Sequence, residues 1–253
     1  MTRSLTAALL GLASFAFGQT EALPKAETIL DRYVEVTGGK AAYEKRKNEI
    51  ETGTIEVKAQ GLKGTYTRYM GEPAEAYSII ELAGVGKIEE GVDKGVAWEK
   101  NAMLGPRVKS GVEKAQALRE ATFNSPLHWR ELNSKVETAG TETIDGEICY
   151  KVVLTPAEAP PETMYFQKKS GFAVKITTTV VSIMGEAPAE MFANDYKSFG
   201  GIMMATRITQ RAGGQELMLT TQDVKTNQPI APDRFDPPAE IKALLTKAAD
   251  KKQ

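Results

Sequence analysis

The chain has one cysteine and one histidine in 253 residues. Cys149 has no second thiol for an internal disulfide, and Cys149 with His128 cannot supply the clustered ligands that zinc, iron–sulfur or haem motifs need. No metal or cofactor is expected. Surplus charge is also missing: 32 Lys and Arg stand against 33 Asp and Glu, a net charge of −1. No basic tail or cluster is present that would neutralise several phosphates, so nucleic acid is not an expected partner. Long apolar runs are absent too, the longest, residues 5–17, being too short to span a bilayer comfortably. What remains, at 42% hydrophobic and 26% charged residues, is enough to build a core.

That one apolar run follows Arg3 and ends on Ala16 and Gly18, the minus-three and minus-one positions of a cut before Gln19. This is the pattern of a secretory signal peptide over residues 1–18. The other reading is an apolar first helix that stays in the fold. Gln19 rather than Cys follows the cut, so no thiol stands there to carry lipid. The expectation is a soluble, periplasmic, single domain over residues 19–253, monomeric, with 31 basic residues against 33 acidic ones once Arg3 is removed.

From Leu23 the apolar period is helical, through Ala26, Ile29, Leu30, Tyr33 and Val34, and Gly38–Gly39 end it. A second short helix is expected over 40–47. From Glu49 to about Lys100 the period falls to two, and five strands follow one another through short turns, "VDKGV" reading as a three-residue hairpin with Gly95 left-handed. Residues 109–134 break the pattern with one helix, an interruption and a second short helix. After Lys135 one-faced strands resume, with turns at 145–146, 168–171 and 213–214, and residues 239–249 close the chain as a helix. The fold class is α+β, mainly antiparallel β: one highly curved sheet of about eleven or twelve strands with a few helices gathered on one side.

In "GFAVKITTTVVSIMG", residues 171–185, alternation places Phe172, Val174, Ile176, Val180 and Met184 on one face. A curled sheet makes that face a concave interior, filled by side chains or by an apolar guest. Six of the eight methionines beyond residue 18 (Met164, Met184, Met191, Met203, Met204 and Met218) fall in the later strands. Methionine suits a pliable lining for variable guests, and it is also plain core filling.

The ordered set "AETILDRYVEVTGGKAAY", "ETGTIEV", "DKGVAW", "ETIDGEICYKVVL", "MYFQKKSGFAVK", "NDYKSFGGIMMATRI" and "VKTNQPIAPDRFDPP" resembles the LolA-like, outer membrane lipoprotein-sorting superfamily, above all its longer members. The resemblance implies an unclosed half-barrel with a helical lid over an apolar cavity that takes lipid or lipoprotein acyl chains in the periplasm. It also implies neither catalysis nor metal. The expected partners are a lipid or acylated lipoprotein and membrane-bound donor and acceptor proteins. The candidate cavity lining is Trp98, Met164, Phe166, Phe172, Val174, Ile176, Val180, Met184, Ile202 and Met204. The chain is longer than the well-characterised carriers, and their cavity arginine finds no clear counterpart.

Two other function classes compete with a lipid or acyl-chain carrier. One is an envelope regulatory module that senses lipids or binds a partner through the same half-barrel. The other is a hydrolase using His128, with Ser125 three residues before it, but no orienting group or oxyanion hole accompanies them. The expectation for His128 is an ordinary, partly buried histidine beside Trp129, and for Cys149 a small buried or half-buried strand residue rather than a nucleophile. Glu89 and Glu90 point to opposite faces of their strand, whereas Glu49 and Glu51 share one, where an edge-strand solubility role is expected.

Overall fold

The computed structural model describes residues 22–250, so the expected signal peptide over residues 1–18 lies outside the described residues. Helix α1 spans Ala26–Val36 and α2 Lys40–Glu44. Ala26, Ile29 and Leu30, one turn apart on the predicted stripe, are the buried side of α1. Gly38 and Gly39 follow it with positive φ, and a Cβ at Gly38 would stand 2.6 Å from the Gly201 carbonyl oxygen. Glycine therefore allows the helix end to approach the sheet.

Six strands then form a meander: β1 Asn48–Val57, β2 Leu62–Gly71, β3 Glu75–Leu82, β4 Gly86–Asp93, β5 Val96–Asn101 and β6 Gly105–Val108. The chain crosses over through α3 Gly111–Glu120, a 3-10 turn at Ser125–His128 and α4 Trp129–Leu132. A second meander follows: β7 Lys135–Ile144, β8 Glu147–Thr155, β9 Glu162–Gln167, β10 Ala173–Ser182, β11 Gly185–Phe199, β12 Ile202–Ala212 and β13 Gln215–Thr226. Helix α5, Ala239–Asp250, comes last.

All thirteen strands belong to one open, curved sheet in the order β6-β5-β4-β3-β2-β1-β13-β12-β11-β10-β9-β8-β7. The last strand returns to pair with the first, Glu49 opposite Thr226 and Ile55 opposite Leu219. The two meanders are thus joined in the middle, and β6 and β7 are left as the edges. The α3–α4 segment runs from one edge strand to the other, so the half-barrel is bridged by a helical lid instead of being closed by hydrogen bonds.

The core is divided accordingly. Ala26, Ile29, Leu30, Trp129, Val152, Leu154, Phe166 and Ala173 form one cluster, which seats α1 and α4 on the β8–β10 part of the sheet. Val92, Ala97 and Ala121, with Ala76, Ala117 and Leu118 against them, seat α3 on the other part.

Several expectations need adjustment. Strand β6 exceeds the predicted count because "LGPRV" reads as a loop, yet an edge strand tolerates Pro106, whose missing N–H needs no partner on the open side. The β4–β5 turn has two residues, Lys94 and Gly95 at φ 47° and 75°, since Asp93 pairs directly with Val96. Glu49 and Glu51 are not on an edge: β1 lies between β2 and β13 at the centre of the sheet.

Candidate functional site

Between the sheet and the crossover lies a cavity of about 620 Å³. Its wall draws on strands from both meanders, on the end of α3 and the 3-10 turn, and on Tyr33 and Tyr43 of α1 and α2. The apolar part includes Met70, Ile80, Val92, Met164, Ile176, Met203, Ile208 and Leu219.

Of the ten residues singled out in the sequence, Trp98, Met164, Ile176, Ile202 and Met204 line this cavity. Trp98 lies directly opposite Gly91, where a Cβ would stand within 2.5 Å of its indole, so glycine there gives the ring its place. Phe166 is fully buried in the cluster under α1, edge-on to Tyr33 at 5.3 Å. Phe172 precedes β10 and stacks on Tyr196 at 4.4 Å.

Val174 faces away from the cavity. Ala173 pairs with Phe166 and Lys175 with Tyr165, so Val174 is the extra residue of a bulge, and it packs with Ile144, Cys149 and Tyr165 on the other face. Val180 is half-buried farther along β10, outside the cavity wall. Met184 sits in the β10–β11 turn, 87% exposed. A single bulge and a turn therefore interrupt an alternation that looked continuous over residues 171–185. A comparable break occurs in β11, where Asp195 has φ 56° and both Ala193 and Tyr196 line the cavity.

The polar half of the wall was not anticipated. Arg46, Arg68 and Lys109 line it together with Glu49, Glu51, Glu90 and Glu120. Arg46 and Glu49 form a buried ion pair, 7% and 4% exposed, through a short Nη2–carboxylate contact. Burial raises the Glu49 carboxyl above its ordinary range against the pull of Arg46. Tyr66 Oη and Thr221 Oγ1 both donate to Glu51 Oε1, at 2.6 and 2.7 Å, and Lys109 Nζ meets Glu90 at 3.2 Å. Burial also lifts the phenol of Tyr196, to about 12, and its Oη donates to the Ala173 carbonyl at 2.6 Å. The sequence carried a usable sign of this half: Glu49 and Glu51 have the same parity on β1 as Ile55, which is 3% exposed.

Three buried polar atoms on cavity residues lack a hydrogen-bond partner among the described residues: Arg46 Nε, Trp98 Nε1 and Asn124 Oδ1. His128 is exposed, not partly buried, because the 3-10 turn directs Trp129 inward and leaves its neighbour in solvent. Cys149 is fully buried, and burial raises its thiol above the usual range. Among the described residues no cluster of three or more His, Cys, Asp or Glu could hold a metal ion, and no helix is long and apolar enough to cross a membrane.

The sequence matches no family model and no curated protein. Solved structures do match. A DUF1329 family protein from Desulfovibrio piger shares 14% identity with a TM-score of 0.57, over 83% of this chain and 97% of that one. A LolA superfamily protein from Nitrosomonas europaea has the same identity and TM-score over 85% and 99%. The fold is that of the LolA-like proteins. An outer membrane lipoprotein-sorting protein domain from Vibrio parahaemolyticus follows at 15% identity and TM-score 0.53, over 87% and 99%. At these identities the likeness is one of fold, and it agrees with the architecture that the LolA-like resemblance of the sequence implied.

Proposed function

We propose that this protein binds a lipid or the acyl chain of a lipoprotein in the cavity under its crossover, as a soluble periplasmic carrier toward the outer membrane rather than an enzyme. The observation that carries the reading is the cavity itself: about 620 Å³, bounded by one curved sheet and a helical lid, with Met164, Ile176, Met203, Ile208 and Leu219 in its wall. Each methylene buried there contributes about 0.8 kcal/mol, so an acyl chain of ordinary length has ample driving force. Trp98, Met164, Ile176, Ile202 and Met204 are its proposed contacts. The signal-peptide pattern over residues 1–18 supports an exported location, and the likeness to an outer membrane lipoprotein-sorting protein domain from Vibrio parahaemolyticus supports the ligand class.

A second observation bears on delivery. Strand directions alternate through each meander, so the β5–β6 and β10–β11 turns lie at the same end of the sheet. Those turns carry Met103 and Leu104 in one and Ile183 and Met184 in the other, exposed by 76%, 51%, 58% and 87%. They are the proposed contact with the donor or acceptor surface.

Native mass spectrometry of the exported protein, followed by denaturation and lipid analysis, tests the reading. A stoichiometric adduct released as phospholipid, fatty acyl derivative or acylated peptide is expected. A mass equal to the polypeptide alone, unchanged after incubation with envelope lipids, would overturn it and favour a regulatory module that uses the exposed turns as a protein contact.

A further inference from the structure

Five of the seven large apolar side chains that stand exposed among the described residues gather around the start of α3. Met103 and Leu104 are in the β5–β6 turn, Ile183 and Met184 in the β10–β11 turn, and Val112 is on α3 itself. The helix ties the two turns together. Glu113 accepts from Arg107 of β6, and Gln116 Oε1 accepts from the Val181 N–H of β10 at 3.2 Å. Those two tethers are three residues apart, about 4.5 Å along the helix. Leu104 precedes Arg107 by three residues and Met184 follows Val181 by three, so each turn projects about 10 Å past its tether, and both toward the same end of the sheet.

The apolar part of the cavity runs toward that end. Val180 shares the parity of Ile176, Leu217 that of Leu219 and Leu82 that of Ile80, and each lies nearer the two turns than the cavity residue it continues. All three are half-buried. The other end of the cavity holds Tyr43 and the buried Arg46–Glu49 pair. An acyl chain therefore meets continuous apolar surface in the direction of the turns and a buried charge pair in the opposite direction.

The chemistry of the turns points to one kind of partner. Residues 101–106 read NAMLGP and residues 180–185 VVSIMG, with no charge in either. Beside the first turn, Arg107 is taken by Glu99 and Glu113, and Lys100 by Glu240. Charge-directed docking is thus not what these turns offer. Two narrow tips with a helix between them also make no flat face for the roughly 1,200 Å² that a stable protein interface buries. A bilayer needs no such complementarity. It accepts apolar points that reach about 5–10 Å into the headgroup–acyl boundary, the depth to which these tips project.

We propose that Met103, Leu104, Ile183 and Met184 form a two-pronged membrane anchor that enters the headgroup–acyl boundary of a bilayer by apolar contact and holds the apolar end of the cavity against the lipid. The inference rests on the acyl-chain reading above and names the delivery surface as lipid, not protein.

The test is co-sedimentation of the delipidated mature protein with dioleoylphosphatidylcholine vesicles at low and at high NaCl concentration, with dodecanoate binding in solution measured alongside. Vesicle partitioning should not fall as salt is raised, and serine at all four positions should lower it at least about tenfold while leaving dodecanoate affinity unchanged. Partitioning lost at high salt, or equal partitioning by the serine variant, would overturn the anchor. So would a dimer in light scattering that the serine variant breaks, which would assign the turns to a second copy of the chain. Dodecanoate uptake without vesicle binding would overturn the anchor and leave the acyl-chain reading standing. Vesicle binding without uptake would do the reverse. If the serine variant does not fold, an environment-sensitive nitrobenzoxadiazole label decides. At Met184→Cys, with Cys149 buried out of reach, its emission should shift to the blue on adding vesicles. At Lys169→Cys, in the β9–β10 turn at the other end of the sheet, it should not, and an equal response at both would overturn the anchor.

Discussion

Replacing Ala193 by leucine separates a ligand cavity from an ordinary core. Ala193 lies on β11 opposite Ile208, and both line the cavity. Leucine adds three carbons, each worth about 0.8 kcal/mol when buried, so up to about 2.4 kcal/mol of apolar contact can form with the wall in ligand-free protein. The same three carbons exclude a similar length of acyl chain. By the same arithmetic, affinity for a fatty acyl probe should fall about 50-fold. Stability and binding therefore move in opposite directions. Urea unfolding of delipidated protein should give a higher midpoint at unchanged slope, and titration with the same probe a weaker dissociation constant. A close-packed core would behave otherwise, overpacking costing about 1–3 kcal/mol. A lowered midpoint together with unchanged affinity would refute the reasoning.

Arg46→Ala and Glu49→Ala should each cost about 3–5 kcal/mol by leaving a buried charge unpaired, while the double change to Met and Leu should cost far less; additive losses in urea unfolding would mean that the pair is not coupled. Arg107 makes a bidentate contact with Glu113 and another with Glu99, tying α3 to β5 and β6. These bonds hold the Glu113 carboxyl below its ordinary range, so its stabilisation is complete above the unfolded-state value near pH 4.5 and lost as pH falls through the depressed folded value. Glu113→Gln should accordingly lower Tm at pH 7 by the equivalent of about 2 kcal/mol, and the gap should narrow progressively as the pH is lowered below the unfolded-state value; a gap independent of pH counts against the assignment. Gly91→Ala should displace the Trp98 indole, shift tryptophan emission to the red and destabilise by about 1–3 kcal/mol, as differential spectra and melting will report. Serine at Met103, Leu104, Ile183 and Met184 should slow acyl transfer to anionic vesicles without weakening probe affinity in solution, and equal transfer rates would remove these turns from delivery.

The fold was legible because its main signals are local. Period-two alternation, turn glycines and the helical stripe of α1 each depend on a few neighbouring residues, and they located twelve strands and the five α-helices of the described residues. Strand β6 escaped because Pro106 is compatible only with an edge, and edge position is a property of the whole sheet. The bulge at Val174 has no local marker: one residue slipped from the β9–β10 ladder reverses the faces beyond it, so Val174 joined the opposite cluster while Ile176 reached the cavity.

The site was half legible for a different reason. Apolar alternation locates the face that must be covered, and Ile176, Met164 and Trp98 were found that way, but it is blind to polar groups that share the same face. Glu49 looked like an edge residue because two carboxylates on one strand face are usually solvated. Yet the last strand of the chain closes over the first, and the return of β13 onto β1 puts Glu49 at the centre of the sheet, where its charge is offset chiefly by Arg46 and further by Arg68. The crossover acts in the same way on Asn124, bringing it across from the opposite edge to within 2.9 Å of the Tyr43 carbonyl. The apolar half of the cavity is therefore a property of single strands, and the polar half a property of chain closure. Arg46 and Asn124, 78 positions apart in the sequence, come to the same cavity wall only when both closures are made.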